Sequence, residues 1–144
     1  MSADDFADFW GAPIHTYTRA QAIDDGVLCE VSEMAREYGL VWPVAMTRTV
    51  WADCVEWTDE DNARKGTGQD ERGRLRDVCA MAAMRMRAAA ARDESGSNVR
   101  LAFQVLRTPR DGRGAKARVC PLVLHVGPGD AGEPVLTIML PNED

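Results

Sequence analysis

The side chains best suited to chemistry in this chain are its cysteines, and they are widely spaced. They lie 25, 25 and 41 positions apart, at Cys29, Cys54, Cys79 and Cys120. Zinc sites are usually built from close pairs such as CxxC, and only His15 and His125 are present to supplement these thiols. Each cysteine has apolar neighbours, as a reduced core residue of a cytosolic protein does. The spacing therefore predicts free thiols, with disulfides as the alternative, and it predicts no metal ligands and no other cofactor.

The acidic clusters and the glycine-rich turn lack the surroundings of a catalytic site. Adjacent acids such as Asp24 and Asp25 point about 100° apart on a helix and do not converge on one reacting atom. Residues 59–61 do not alternate ligands with spacers as a calcium loop does, and the GPGD sequence at 127–130 precedes a strand instead of a helix. We therefore assign no catalytic residue and predict a non-enzyme, with a site assembled from distant residues left open.

The net charge of −6 is unevenly divided along the chain. Residues 1–66 carry −8, residues 67–127 carry +6 and residues 128–144 carry −4. Such a division fits a basic binding face, and it equally fits two halves that attract each other as the chain folds.

Basic side chains gather around one predicted turn, which makes them candidates for nucleic-acid contacts. They are Arg107, Arg110, Arg113, Lys116 and Arg118. They would contact phosphates, but no aromatic residues are interleaved with them for base stacking, and no known reader motif is present. Pairing of these cations with the acidic first half is the interpretation that we favour.

The length and composition are those of one folded domain. With 144 residues, 45% of them hydrophobic, residues 1–144 are predicted to form a single domain with its own core. Neither a membrane span nor a signal peptide is recognisable, so we expect a cytoplasmic protein with no membrane contact. The acidic and aromatic residues 1–16 are expected to dock as a short arm.

Start and stop signals predict short elements at the beginning of the chain. Thr18 and Gln21 fit a capping box for a helix over residues 18–25. Residues 27–31 read as a brief strand, and residues 32–38 as a second helix.

A third helix is predicted from Pro43, a residue that suits a first helical turn. Its apolar residues recur at spacings of three and four: Val44, Thr47, Trp51, Cys54 and Val55. The polar, glycine-containing residues 58–69 are then predicted to form a flexible loop.

The longest predicted helix is capped by Asp70 and runs to about Ala91. One face about 100° wide carries its apolar stripe, predicted to face the core: Leu75, Val78, Cys79, Ala82, Met86 and Ala89. Met81 and Met84 project elsewhere, and the alanines beside them would let another helix approach closely. We therefore predict that Met81, Met84 and Arg85 bind a protein partner or a second copy of the chain.

The last third of the sequence changes from helical to alternating periodicity. Two alternating runs around the basic segment 109–116 predict a hairpin, and residues 134–140, apolar on both faces, predict a covered central strand. The fold class is therefore α+β. We expect N-terminal helices and one long central helix packed on a small C-terminal antiparallel sheet of about three strands.

Five segments resemble a family of small, uncharacterised bacterial proteins associated with plasmids and other mobile elements. They read YTRAQAIDDGVL at 17–28, PVAMTRTVW at 43–51, QDERGRL at 69–75, GPGD at 127–130 and EPVLTIMLP at 133–141. The family is a domain of unknown function, so the resemblance transfers no catalytic residue. It implies a shared fold and a setting of mobile-element maintenance or of countering host defence.

A non-enzymatic macromolecule-binding protein is the leading functional hypothesis, with an acidic face of the first half meeting a charged site on its partner. The resemblance would make it a mobile-element accessory or an anti-defence inhibitor. One alternative is a nucleic-acid-associated protein that uses the basic long helix and the hairpin tip. Another is an enzyme of unrecognised type.

Overall fold

The fold was obtained as a computed structural model that describes residues 17–94, 96 and 98–144. The predicted docking arm, residues 1–16, lies outside the described residues. Within them, the chain combines one mixed sheet with helices, which confirms the α+β class. No helix of the described ranges is long and apolar enough to cross a membrane.

Five strands of the described chain form one sheet in the order β1-β2-β5-β4-β3. They are β1 (Leu28–Glu30), β2 (Val44–Thr47), β3 (Val99–Arg107), β4 (Arg118–Pro128) and β5 (Pro134–Met139). β5 is parallel to β2, and the other three pairs are antiparallel. The predicted sheet of about three antiparallel strands is thus only partly right, because β1 and β2 of the first half extend it.

The first helix of the described residues, α1 (Arg19–Asp24), begins at the predicted capping box. Thr18 Oγ1 accepts a hydrogen bond from the Gln21 backbone, and Gln21 Oε1 accepts one from the Thr18 backbone. The turn after β4 contributes a second cap, since the Asp130 carboxylate accepts from the backbone N–H groups of Arg19 and Ala20. These bonds join the start of the described chain to the end of the sheet.

The central strand β5 is covered on both faces, as its apolar pattern predicts. Leu136 and Ile138 belong to the main core, which also receives α2 (Ser32–Glu37). The intervening Thr137 points to the opposite face by strand alternation. There Arg19 Nη1 of α1 donates to Thr137 Oγ1 at 2.7 Å.

The helix predicted from Pro43 is wrong at its beginning. Val44–Thr47 form β2, and helical structure starts only at α3 (Arg48–Val50), which continues as a π-helical turn (Trp51–Val55). The first three residues of β2 are fully buried between β1 and β5. A short, wholly buried apolar run does not reveal by its periodicity whether it is strand or helix, and this ambiguity explains the error.

The predicted flexible loop 58–69 is also wrong, because it contains α4 (Asp59–Lys65). Thr58 and Asp61 form a reciprocal capping box at its start. Gly66 ends the helix in a left-handed conformation (φ 66°) that a side chain would strain. The capping box is visible in the sequence, but the polar, glycine-containing composition of the segment is more typical of a loop.

The longest helix is α5 (Glu71–Ala91), begun by Asp70 as predicted. Its predicted stripe faces the core: Val78, Cys79, Ala82 and Ala89 are fully buried, and Leu75 and Met86 are partly buried against the same cluster. Two further residues of α5, Arg74 and Ala83, are also buried. The buried arginine is the exception to an apolar stripe, and it belongs to the candidate site.

Candidate functional site

Chemically active side chains meet where the π-helical turn approaches the β3–β4 hairpin. The turn carries Asp53 and Cys54, β4 carries Cys120, and β3 ends at Arg107. A π-helical turn interrupts the regular helical repeat, and such turns are frequent at functional sites. We call Asp53, Cys54 and Cys120 the thiol cluster.

The polar atoms of the thiol cluster converge on one point. Cys54 Sγ lies 3.7 Å from Cys120 Sγ, and Cys120 Sγ lies 3.7 Å from Asp53 Oδ2. All three potential ligand atoms are within 4.8 Å of one another. Both cysteines are buried, and burial raises the pKa of the Cys54 and Cys120 thiols. At neutral pH the cluster therefore holds two protonated thiols beside one carboxyl group.

Arg107 holds the carboxylate of the thiol cluster from its other side. Its Nε donates to Asp53 Oδ1 at 2.9 Å. Burial opposes the charge of Arg107, but the hydrogen bond and the attraction of Asp53 outweigh burial and raise the pKa of the guanidinium. This pair orients Asp53 so that Oδ2 is left to face the sulfur atoms.

A second arginine, Arg74, lies next to the cluster and is only 5% exposed. Its guanidinium stacks 4.4 Å from the ring centre of Trp57. It donates four hydrogen bonds of 2.9–3.3 Å, to the carbonyl oxygens of Asp53, Val55 and Thr108 and to the side chain of Gln69. The carbonyls of Asp53 and Val55 lie at the end of a helical turn, where intrahelical donors are lacking, so the cation supplies hydrogen bonds that the turn itself does not. Burial lowers the pKa of Arg74 below its ordinary value.

A cleft of about 530 Å³ opens beside these residues, between the first turns of α5 and the end of β3. Its charged lining consists of Asp70, Arg74, Arg76, Asp77 and Arg107. Cys54 also lines the cleft, so its lining includes one member of the thiol cluster.

The five cations predicted to contact nucleic acid are divided by the fold. Arg107 is paired with Asp53, and Arg110 is paired with Glu56 at 2.8 Å and with Asp61 at 2.7 Å. The other three are exposed: Arg113, Lys116 and Arg118. Pairing with the acidic first half accounts for two of the five cations.

The hairpin tip is fixed onto α4 by a buried lysine. Lys65 Nζ donates to the carbonyl oxygens of Pro109, Asp111 and Gly114 at 2.6–2.9 Å. A charged donor shared by three carbonyls orders the backbone between β3 and β4. Two segments expected to be loops therefore hold each other in place.

Asp61 is the buried anion that joins α4 to the hairpin tip. Burial opposes its charge, but hydrogen bonds from Arg110 and Thr58 outweigh burial and hold the pKa of the carboxyl well below its usual 3.8. A carboxyl whose pKa is lower in the folded chain stabilises the fold above its unfolded pKa. That stabilisation is lost as the pH falls toward the folded pKa.

We therefore expect Asp61→Asn to lower the Tm at pH 7, and we expect its deficit to shrink as the pH falls below about 4. Thermal unfolding from pH 7 to pH 3, followed by circular dichroism, measures this. Asp111→Asn changes an exposed residue of the hairpin tip and should have little effect throughout. A deficit for Asp61→Asn that is as large at pH 3 as at pH 7 would contradict the assignment.

Met81 and Met84 lie on the exposed flank of α5 and line an apolar groove against β3. Met81 is 36% and Met84 54% exposed, and the facing wall includes Leu106 at 64% and Val119 at 53%. Two adjoining cavities of about 580 and 480 Å³, which share Met81 and Gln104, make up this α5–β3 groove.

Arg85, the third residue predicted to bind a partner, lies at the rim of the groove. Its Nε donates to the Ala102 carbonyl at 2.9 Å, and its Nη2 pairs with Glu94 at 3.0 Å. The guanidinium is thus already neutralised, and the exposed walls of the groove are mainly apolar.

The thiol cluster escaped sequence reasoning because its members come together only through the fold. Cys54 and Cys120 are separated by 66 positions, whereas metal sites can be recognised in a sequence only when their ligands are closely spaced. The single local signal was the adjacency of Asp53 and Cys54. Because the fold brings these residues together, their wide spacing in the sequence is no evidence against metal binding.

The comparisons with known proteins give a family and no function. The model of a family described as a family of unknown function (DUF6573) matches residues 7–144. No curated protein and no solved structure matches the chain significantly.

Proposed function

The chain belongs to the DUF6573 family of unknown function, and on that premise we propose that it is a non-enzymatic protein that binds another protein through the α5–β3 groove. The observation that carries this proposal is the exposure of four large apolar side chains in the groove: Met81, Met84, Leu106 and Val119. Single exposed apolar residues are common, but a continuous group of them is typical of an interaction site.

The occupant that best fits the groove is an apolar helix of a partner protein. The groove runs between a helix and a strand, and helices commonly bind in such grooves through residues spaced by three and four. Ala80 forms part of the wall beside Met81, and its small side chain lets another backbone approach. Methionine side chains adapt to partner surfaces that are not a perfect match.

Charge gives less support to the other binding hypotheses. Three acids of the first half, Asp53, Glu56 and Asp61, are already paired with arginines of the second half. Others, such as Asp24, Glu33 and Glu60, stay exposed and keep an acidic face as the second candidate. At the hairpin tip, a nucleic-acid site would retain three cations without an ion pair among the described residues, Arg113, Lys116 and Arg118. The long helix adds exposed arginines such as Arg76, but neither segment has interleaved aromatic residues for stacking.

We further propose a cellular setting from the family resemblance. The chain would act in the cytoplasm of a bacterium, as an accessory of a plasmid or other mobile element or as an inhibitor of a host defence component. Such inhibitors act by occupying a surface and need no catalytic chemistry of their own.

The double variant Met81→Glu, Met84→Glu tests the groove. Two carboxylates in an apolar contact oppose binding because their charge must be desolvated, so the variant should stay folded and lose its partner. The tagged chain is used to retain proteins from a nuclease-treated lysate of its own organism. Retained protein is compared between the unchanged chain and the double variant, and folding is checked by circular dichroism.

Val41→Glu is the matched control, because Val41 is 77% exposed and lies outside the groove lining. We expect one discrete protein to be retained by the unchanged chain and by Val41→Glu, and to be lost from the double variant. Equal retention by all three chains would overturn the proposal, as would unfolding of the double variant. Retention seen only in a parallel lysate without nuclease treatment would favour nucleic acid instead. Loss of self-association alone, measured by light scattering, would make a second copy the occupant.

A further inference from the structure

We propose that the thiol cluster, Asp53, Cys54 and Cys120, binds a thiophilic divalent metal ion such as Zn²⁺ through two sulfur atoms and one carboxylate oxygen. This site is separate from the α5–β3 groove, since none of its three residues lines the groove. The proposal therefore stands or falls independently of the proposed partner binding.

The separations between the ligand atoms suit tetrahedral coordination. Zinc–sulfur bonds of about 2.3 Å place two sulfurs of a tetrahedral site about 3.8 Å apart. The Cys54 and Cys120 sulfurs are 3.7 Å apart, and Asp53 Oδ2 is 3.7 Å from the Cys120 sulfur. The remaining pair, the Cys54 sulfur and an Asp53 carboxylate oxygen, lies within 4.8 Å. Side-chain adjustments of this pair would bring all three ligands onto one ion.

Arg107 gives the carboxylate ligand the support that metal sites usually provide. Ligating carboxylates are commonly hydrogen-bonded through their second oxygen, and Arg107 Nε holds Asp53 Oδ1 in this way. Two thiolates and one carboxylate carry three negative charges, of which a divalent ion neutralises two. The adjacent guanidinium balances the third.

The carboxylate side of the site faces solvent, whereas the two cysteines are buried, and one coordination position is open. Asp53 is 34% exposed at its side chain, and Cys54 lines the 530 Å³ cleft. Among the described residues, the group of converging ligands contains no fourth His, Cys, Asp or Glu. Water would complete a four-coordinate site, as it does in zinc sites with three protein ligands.

Binding must displace the two thiol protons, because only thiolates ligate the metal. One metal ion enters and two protons leave, with no change of oxidation state. The apparent affinity should therefore rise with pH, by up to about 100-fold per pH unit while both thiols are protonated. A weak site formed by surface carboxylates would lack this dependence near neutral pH.

Cobalt titration of the full, metal-free chain under a phosphine reductant tests the proposal. Co²⁺ has the same preference for tetrahedral sulfur sites and is visible through sulfur-to-cobalt charge transfer in the near ultraviolet. We expect saturation at one Co²⁺ per chain, displacement by Zn²⁺, and an affinity that rises with pH. Bound Zn²⁺ should also raise the Tm, because the ion binds the folded chain preferentially.

Single-cysteine variants locate the site. Cys54→Ala and Cys120→Ala should each lose more than about tenfold in Co²⁺ affinity, because two ligands remain of three. Cys79→Ala is the matched control, since Cys79 is fully buried in α5 but lies outside the cluster. It should retain the charge-transfer spectrum.

Three results would overturn the assignment. The first is the absence of charge transfer from the unchanged reduced chain, which needs no variant to fold. The second is an undiminished spectrum in Cys54→Ala and Cys120→Ala. The third is a Cys54–Cys120 disulfide that forms in air while the reduced chain binds neither ion, which would identify a redox pair instead.

Discussion

Arg74→Met is expected to lower the free energy of unfolding by about 3 kcal/mol, because it leaves two buried and two partly buried acceptors without their donor. Methionine retains most of the apolar stem against Trp57. It cannot replace the hydrogen bonds to the π-helical turn, the hairpin and Gln69. Each acceptor left without a donor costs about 1 to 3 kcal/mol. Part of this cost is offset, because the variant no longer desolvates a guanidinium that has no carboxylate partner. Urea unfolding followed by circular dichroism gives the value.

Arg72→Met is the control for this measurement. Arg72 belongs to the same helix, its side chain is 68% exposed, and its contact with Glu37 is long at 3.8 Å. Exposed ion pairs of this kind contribute about 1 kcal/mol or less. Equal losses for Arg72→Met and Arg74→Met would show that Arg74 does not hold the three segments together.

Ile138→Ala is expected to destabilise the chain by about 2 to 5 kcal/mol, the range for removing a large aliphatic side chain from a packed core. Ile138 is fully buried in β5, where it is paired with Met46 of β2 and Leu124 of β4. The loss tests the central place of β5, which joins the strands of the first half to the C-terminal hairpin. Urea unfolding again measures it.

Leu106→Ala removes a similar side chain from the edge strand β3, where Leu106 is 64% exposed. Exposed substitutions usually change stability by about 0.5 kcal/mol or less. If Ile138→Ala were no more destabilising than Leu106→Ala, the buried, central position of Ile138 in β5 would be contradicted.

The elements with strong periodicity could be predicted from the sequence. In α5, a cap at Asp70 and an apolar stripe that extends over about four turns, from Leu75 to Ala89, predict a helix without ambiguity. In the hairpin, alternation in β3 and β4 likewise fixes which residues face the core. Long segments average out single misleading residues, and for that reason these predictions are confirmed.

Short buried elements and long-range contacts could not be predicted in the same way. Val44–Thr47 has too few residues to show a period, and its strand state depends on β1 and β5 on either side. The burial of Arg74 depends on three segments that are remote from one another in sequence. The thiol cluster depends on β4 reaching the π-helical turn. In each case the deciding partner lies elsewhere in the chain.

The ion pairs give a physical reason for the uneven distribution of charge along the sequence. Asp53 and Asp61 of the acidic half each pair with an arginine of the basic half. The basic hairpin tip is therefore tied to the first half of the chain, and two of its five cations, Arg107 and Arg110, are paired within the fold. The apolar α5–β3 groove is left as the more distinctive surface.

Site-specific photocrosslinking tests the central claim, that the α5–β3 groove binds a protein, most directly. The variant Met84→benzoylphenylalanine places a photoreactive group in the groove, and Val41→benzoylphenylalanine places it on an exposed site outside the groove lining. In cells of the organism that encodes the chain, irradiation is predicted to yield a discrete adduct with a second protein from position 84 and none from position 41. No adduct from position 84, or the same adduct from both positions, would contradict the account.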